Sequence, residues 1–407
     1  MRWRIGVFAL ISGLACASLS GAPEIAKPVP DNYLAQWLMS WPTALGIGDL
    51  KANYPGHFYK VDPSIEMVIE GEYPHCRYFS FVAHDMKNRT IATLHDSDIA
   101  PDQGSVNPFL PGADWNAPNR RYTLIIRFTA PPAGTGPAVM RGPQTARGNI
   151  LYAGLQADGT PNQAGLLVYR RYLPSQGYDV NGGVPMPKIY YRKVSDQSLV
   201  KPISKTEQGI LFLRAMRYVL RRTGESKQWA DKAHKAGSAS SKGQPLQWRR
   251  SPVVGAENPD TVYLFARVNP DPDKLLLMRW KAPTFPDTWH GHGLTGKEEV
   301  RYWSMCFAPK STMTKFTLAD AEAVINPDGF VNLVVGFGAE RPAKVTPENG
   351  YTWVDLKGMN IRFILYRNMV VSPEFKYVAR DVPAGEPVTD QIGDYLPRTQ
   401  WLSPENF

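Results

Sequence analysis

Three groups of residues in this chain have types and spacings that could do chemistry. The run His95-Asp96-Ser97-Asp98, with His75 and His84 close in sequence, combines imidazoles and carboxylates, the side chains that move protons or hold a metal ion. Trp289-His290-Gly291-His292-Gly293 sets His290 and His292 one residue apart, a pair that chelates a metal if a third ligand arrives from elsewhere. An Arg-Tyr-aromatic-Ser motif occurs twice, as Arg77-Tyr78-Phe79-Ser80 and Arg301-Tyr302-Trp303-Ser304. On an extended strand, Arg77 and Phe79 point to one face and Tyr78 and Ser80 to the other.

Each group also has a plainer reading. A motif kept in both copies suits a shared structural role, with Arg bonded to Asp96 or to Asp320. The candidate acid/base set His95, Asp96 and Asp98 sits in an Asp/Ser-rich turn that needs no chemistry to explain it. The second copy has Ala319 and Ala308 where the first has His95 and His84, so only the first half could use them. The glycines beside His290 and His292 suit an exposed loop. No Gly-x-Ser-x-Gly elbow, Gly-x-x-x-x-Gly-Lys phosphate cradle, His-Glu-x-x-His or dinucleotide fingerprint is present, and no cofactor is implied. Paired carboxylates for glycoside cleavage stay open, because their spacing is spatial rather than sequential.

The elements that must position these residues come from an internal duplication. Arg77 to Phe81, Thr90, Thr93-Leu94 and Asp96-Ser97-Asp98 recur at constant spacing as Arg301 to Met305, Thr314, Thr317-Leu318 and Asp320-Ala321-Glu322. Leu167 to Arg170 answers to Ile364 to Arg367, and upstream Asn53-Tyr54-Pro55 is matched with Asn258-Pro259-Asp260. Short apolar runs between turn residues predict strands over 66–70, 78–83, 122–128, 165–172, 189–192, 261–268, 275–280, 301–307, 329–337 and 362–370. The long Pro/Gly/Asn-rich stretches 108–119 and 131–149 read as loops, either lining a site or merely tolerated. A short helix is expected over 31–40, and a longer one over 206–222, where Ile210, Leu213, Met216 and Leu220 form the apolar stripe and Arg214, Arg217 and Arg221 share another face. A Gly/Ser/Ala/Lys-rich flexible linker follows it.

The fold expectation is therefore mostly β: two tandem jelly-roll-like or related antiparallel β-sandwich units joined by an α-helix. Its units are a signal region 1–22, a first repeat 23–200 with an N-terminal helix, a basic connector 201–250 and a second repeat 251–407. Arg2 and Arg4, an apolar stretch and Ala15-Cys16-Ala17 read as an export signal; Cys16 adds a lipid-anchored alternative. No later run is long and apolar enough for a transmembrane span. Cys76 and Cys306 either pair as a disulfide or serve as buried small hydrophobes. The net charge of +9 is concentrated in Arg192 to Arg250, which hold 14 Lys or Arg against 4 Asp or Glu. That connector could meet an anionic envelope surface through Arg214, Arg217 and Arg221, or be a solvated face; export argues against nucleic acid.

Asn258-Pro259-Asp260-Thr261-Val262-Tyr263 followed by Arg301-Tyr302-Trp303-Ser304, with the matching Arg77-Tyr78-Phe79-Ser80, resembles an uncharacterised group of exported bacterial proteins. In that group an Asn-x-Asp-Thr-x-Tyr strand precedes an Arg-Tyr-x-Ser strand in β-sandwich modules. The resemblance implies the fold and brings no activity. The leading functional expectation is an exported periplasmic or secreted protein binding a small molecule or glycan in the loops or the cleft between repeats, with Arg77, Tyr78, Arg301, Tyr302, Asp260 and Tyr263 as ligand-binding candidates. The competing one is a hydrolase or lyase of envelope polysaccharide using His95, Asp96 and Asp98, or a metal at His290 and His292.

Overall fold

The computed structural model describes residues 28–38, 48–133, 149–218, 242–251, 258–309 and 314–407. The expected signal, Cys16, Leu220, Arg221 and most of the linker lie outside the described residues. The first half runs through β1 (Ala52–Asn53), β2 (Gly56–Lys60), β3 (Ile65–Glu72), β4 (Cys76–Asp85), β5 (Thr90–His95), β6 (Arg121–Arg127), β7 (Asn149–Tyr152), β8 (Ala164–Pro174), β9 (Lys188–Lys193) and β10 (Leu199–Val200). A helix, α1, covers 205–218. The second half follows with β11 (Arg249–Arg250), β12 (Thr261–Arg267), β13 (Leu275–Lys281), β14 (Tyr302–Pro309), β15 (Phe316–Ala319), β16 (Phe330–Gly336), β17 (Tyr351–Asp355), β18 (Ile361–Met369) and β19 (Arg398–Leu402).

Each half is a β-sandwich, and the strand orders superpose. The path β2-β8-β4-β5 corresponds to β12-β18-β14-β15, and β9-β3-β6-β7 corresponds to β19-β13-β16-β17. Even the exception is repeated: β6 pairs with β7, and β16 with β17, in parallel, while the other pairings are antiparallel. Alternation decides what each strand buries. In β6, Tyr122, Leu124 and Ile126 point inward, where they meet Phe79, Phe81 and Tyr169 of the facing sheet. The second core is built likewise from Trp280, Trp303, Leu333 and Tyr366.

Strands β4, β14 and nearly all of β8 and β18 are buried along their length because their sheets are covered on both faces. Inner faces pack on their own sandwich. The outer face in the first half is covered partly by α1, where Phe58, Leu166 and Val168 meet Leu211 and Ala215. The rest lies against the other sandwich, where Tyr78, Tyr172 and Leu173 meet Tyr302, Ala319 and Met369.

Three expectations change. The helix expected over 31–40 is replaced, among its described residues 31–38, by a 3-10 turn, Asp31–Tyr33, after which Ala35 bridges to Ile189, Leu38 bridges to Gly56, and the Trp37 indole N–H donates to the Pro187 carbonyl at 2.7 Å. Sheet edges that offer free backbone groups outcompete a short, marginal helix. On α1 the stripe is rotated: Leu211 and Ala215 are buried, whereas Ile210 and Leu213 are 47% and 66% exposed. The upstream repeat also shifts register. Ala52 pairs with Tyr172 as Thr261 pairs with Met369, and Gly56 pairs with Val168 as Phe265 pairs with Leu365. Asp49, Lys51 and Tyr54 therefore correspond to Asn258, Asp260 and Tyr263. Both remaining cysteines are free and buried.

Candidate functional site

The repeated Arg-Tyr-x-Ser strands line the seam between the sandwiches, and each repeat binds the other. Arg77 Nη1 donates to Asp320 Oδ2 at 2.6 Å, and Arg301 Nη1 donates to Asp96 Oδ1 at 2.7 Å. Each carboxylate also closes its own turn: Asp96 accepts from the backbone N–H of Phe79 and Ser97, and Asp320 from those of Trp303 and Ala321. Arg77 is further held by Thr288 Oγ1 at 2.8 Å and by the Phe285 ring, and Arg301 lies over Phe109. The ligand-binding candidates Arg77, Tyr78 and Tyr302 are fully buried and Arg301 nearly so. They bond across the seam instead of facing a solvent cleft, because a guanidinium removed from water needs a carboxylate close by.

The tyrosines exchange partners in the same way, but here the two ends of the seam differ. Asp49 Oδ2 accepts from Tyr302 at 3.0 Å, Ser304 at 2.7 Å and Arg367 Nη1 at 2.8 Å, which fills that carboxylate with donors. Its counterpart is the neutral Asn258. Tyr78 donates to Asp260 at 2.8 Å and lies 3.2 Å from the Asn258 amide. Tyr263 sits beneath Arg367 as Tyr54 sits beneath Arg170.

One residue further out the difference becomes electrostatic. At one end Lys51 Nζ meets Glu322 at 2.5 Å, an ordinary opposite-charge pair. The corresponding residues at the other end are Asp260 and Asp98, which are like charges, and His95 stands where the first end has Ala319. His95 Nε2 lies 3.2 Å from Asp98 and Nδ1 lies 3.1 Å from Ser97 Oγ and 3.6 Å from Asp96. Burial works against a charged imidazole, but the Asp96 carboxylate beside it and the charges of Asp260 and Asp98 outweigh it and hold the His95 pKa above its ordinary value. Asp98 is raised, first by burial and then by Asp260, against the pull of His95. Asp96 is lowered because Arg301 and His95 overcome its burial. The His95 and Asp98 side chains each keep 15% exposure. The notch formed by His95, Asp98 and Asp260 is thus a place where charged groups of both sandwiches meet without being sealed.

This geometry sorts the sequence candidates. His95 and Asp98 belong to the notch with Asp260, a residue that sequence spacing could not join to them. Asp96 does not line it: it is fully buried behind His95, and its oxygens are engaged by Arg301 and backbone amides. His84, buried against Arg170 and Thr90, and His75, against Arg120, lie apart from His95. Both ring Nδ1 atoms of the metal candidates His290 and His292 bond Asp287, at 2.7 and 2.8 Å. Those bonds outweigh partial burial and lower the Asp287 pKa. Among the described residues no group of three or more His, Cys, Asp or Glu could hold a metal ion. The insertion carrying this pair acts as a clasp: Leu294 enters the first sandwich's core, its carbonyl accepts from Gly112, and the Trp289 carbonyl accepts from Gln176. Arg214 and Arg217 are exposed on α1, and no helix among the described residues is long and apolar enough to cross a membrane.

No family model matches the chain, and no curated protein matches it in sequence. Solved structures do. A crystal structure of a putative uncharacterized protein from Burkholderia cenocepacia aligns with a TM-score of 0.54 at 14% identity, over 89% of this chain and 79% of that one. The VPA0106 protein from Vibrio parahaemolyticus aligns over 88% of this chain and 90% of that one, at 10% identity and a TM-score of 0.39. The first likeness shows the fold alone.

Proposed function

We propose that this is an exported envelope protein that binds a glycan at the seam, in the notch of His95, Asp98 and Asp260. The observation that carries the reading is the broken symmetry of the repeat: the position closed by Lys51 and Glu322 at one end holds two carboxylates and an imidazole at the other. Two carboxylates that repel each other are poor stabilisers of a fold, and they are good acceptors for vicinal hydroxyl groups. With Asp96 neutralised by Arg301, the notch keeps a surplus of negative charge over His95. It therefore favours neutral or amine-bearing sugars over acidic ones. Attachment to an anionic surface is part of the proposal, through exposed Arg214 and Arg217, with Ile210 and Leu213 beside them.

Calorimetric titration of the full chain with neutral, amine-bearing and acidic oligosaccharides tests this. The Asp260→Lys variant rebuilds the charge pair of the opposite end and should abolish binding while leaving the protein folded. Unchanged binding by that variant would sink the proposal. The alternative, a polysaccharide hydrolase or lyase, is favoured by one feature only, the raised proton affinity of Asp98 beside Asp260. It requires release of new sugar ends that stops in Asp98→Asn.

A further inference from the structure

Every arginine that crosses the seam has a carboxylate: Arg77 has Asp320, Arg301 has Asp96 and Arg367 has Asp49. Two other arginines, inside the first sandwich, do not. Arg171 and Arg120 are 1% and 5% exposed, and among the described residues neither has an ion-pair partner. Arg171 lies over the Tyr169 ring and, among the described residues, spends only Nη1, on Asn181 Oδ1 at 2.7 Å, leaving its Nε and Nη2 without a partner there. Among the described residues Arg120 spends only Nη1, on the His75 ring and the Trp115 carbonyl, and its Nε and Nη2 and the Trp115 indole N–H have no partner there. Glu72 and Asp114 act on Arg120 only from a longer range.

Both guanidiniums lie under one loop. They both act on the Cys76 thiol, and the loop that follows β8 caps them together: Asn181 holds Arg171, while Tyr178 stacks at 4.5 Å on the His75 ring that holds Arg120. Tyr178 is 45% exposed, so the cap is at the surface. Buried guanidiniums are stable when a counter-charge accepts their N–H groups, and the described residues supply no acceptor to these five donor nitrogens.

We propose that Arg120, Arg171 and Trp115 form a site for a small oxyanion group, a carboxylate, sulfate or phosphate, admitted beneath the loop of Tyr178 and Asn181. Arg is suited to this task because its planar fork matches two anion oxygens at once. The site is separate from the notch, and stands or falls independently of it.

The test is thermal unfolding and calorimetry of the full chain with inorganic phosphate or sulfate, against sodium chloride at equal ionic strength. A saturable rise in Tm with phosphate or sulfate, absent with chloride, is expected; Arg171→Gln should weaken the response about tenfold or more. A wild-type protein that responds only to ionic strength overturns the proposal, and so does an Arg171→Gln protein with the wild-type response. If Arg171→Gln does not fold, Trp115→Phe removes one donor and keeps an aromatic ring: a weaker saturable response supports the site, and an unchanged one overturns it.

Discussion

Replacing Asp320 with Leu is the sharpest perturbation of the exchanged ion pairs. It strands Arg77, which is fully buried and would keep only Thr288 Oγ1 and the Phe285 ring. Breaking a buried pair by removing one partner costs about 3–5 kcal/mol, and the loss of the acceptor for the Trp303 and Ala321 amides adds about 1 kcal/mol for each. The expected loss is therefore about 5–7 kcal/mol, enough to unfold many domains. Replacing Arg77 with Met as well removes the stranded charge, so the double variant should be more stable than Asp320→Leu alone by about 1–3 kcal/mol. Arg301→Met should cost less than Arg77→Met, because Asp96 keeps His95 beside it while Asp320 has only Ala319 there. Urea unfolding followed through the buried Trp280 and Trp303 measures all four variants. A loss below about 1 kcal/mol for Asp320→Leu, or strictly additive costs in the double variant, would refute the reasoning.

Further outcomes follow from the same contacts. His95 has a raised folded-state pKa, so the stability that it contributes is fully present below its unfolded value of about 6.5 and is lost as pH rises through the folded one; His95→Ala should flatten that decline in unfolding curves taken from pH 6 to 9. Leu211→Ala should cost about 2–4 kcal/mol and Leu213→Ala less than about 0.5, which denaturant midpoints compare directly; equal costs would restore the stripe read from the sequence. Burial pushes the Cys76 thiol up to about 12 and that of Cys306 to about 11, so neither should react with a thiol reagent until the protein is denatured, and reductant should leave its Tm unchanged.

Much of the fold was legible because alternation and repetition are local properties. Tyr122 to Phe128 announces a half-buried strand by itself, and Arg77 to Phe81 announces its twin at Arg301 to Met305. What was not legible is which copy completes which. Both Arg-Tyr-x-Ser strands carry an Asp in the same half, and nothing in a linear pattern tells that Arg77 passes Asp96 to reach Asp320. The register of Asp49 to Tyr54 against Asn258 to Tyr263 was hidden because Pro and Asp recur at several offsets, so the pairing of Lys51 with Glu322, and its inversion at Asp260 and Asp98, could be read only in three dimensions. On α1 the apolar residues occupy more than one face. Periodicity selected Ile210 and Leu213, and packing selected Leu211 and the small Ala215, which lets the helix lie close on β2 and β8.

The crosswise trade of Arg77 for Asp320 and Arg301 for Asp96 has a consequence for how this chain can be divided. Neither sandwich owns the counter-ion of its own repeated strand, so a fragment ending before β12 would expose Arg77 and Asp96 side by side on one bare face. A face that offers both signs at matching distances fits a copy of itself as well as it fits its covalent neighbour. Isolated halves of this protein should accordingly come together as twins, whereas in the intact chain the unlike partners are covalently joined and meet first.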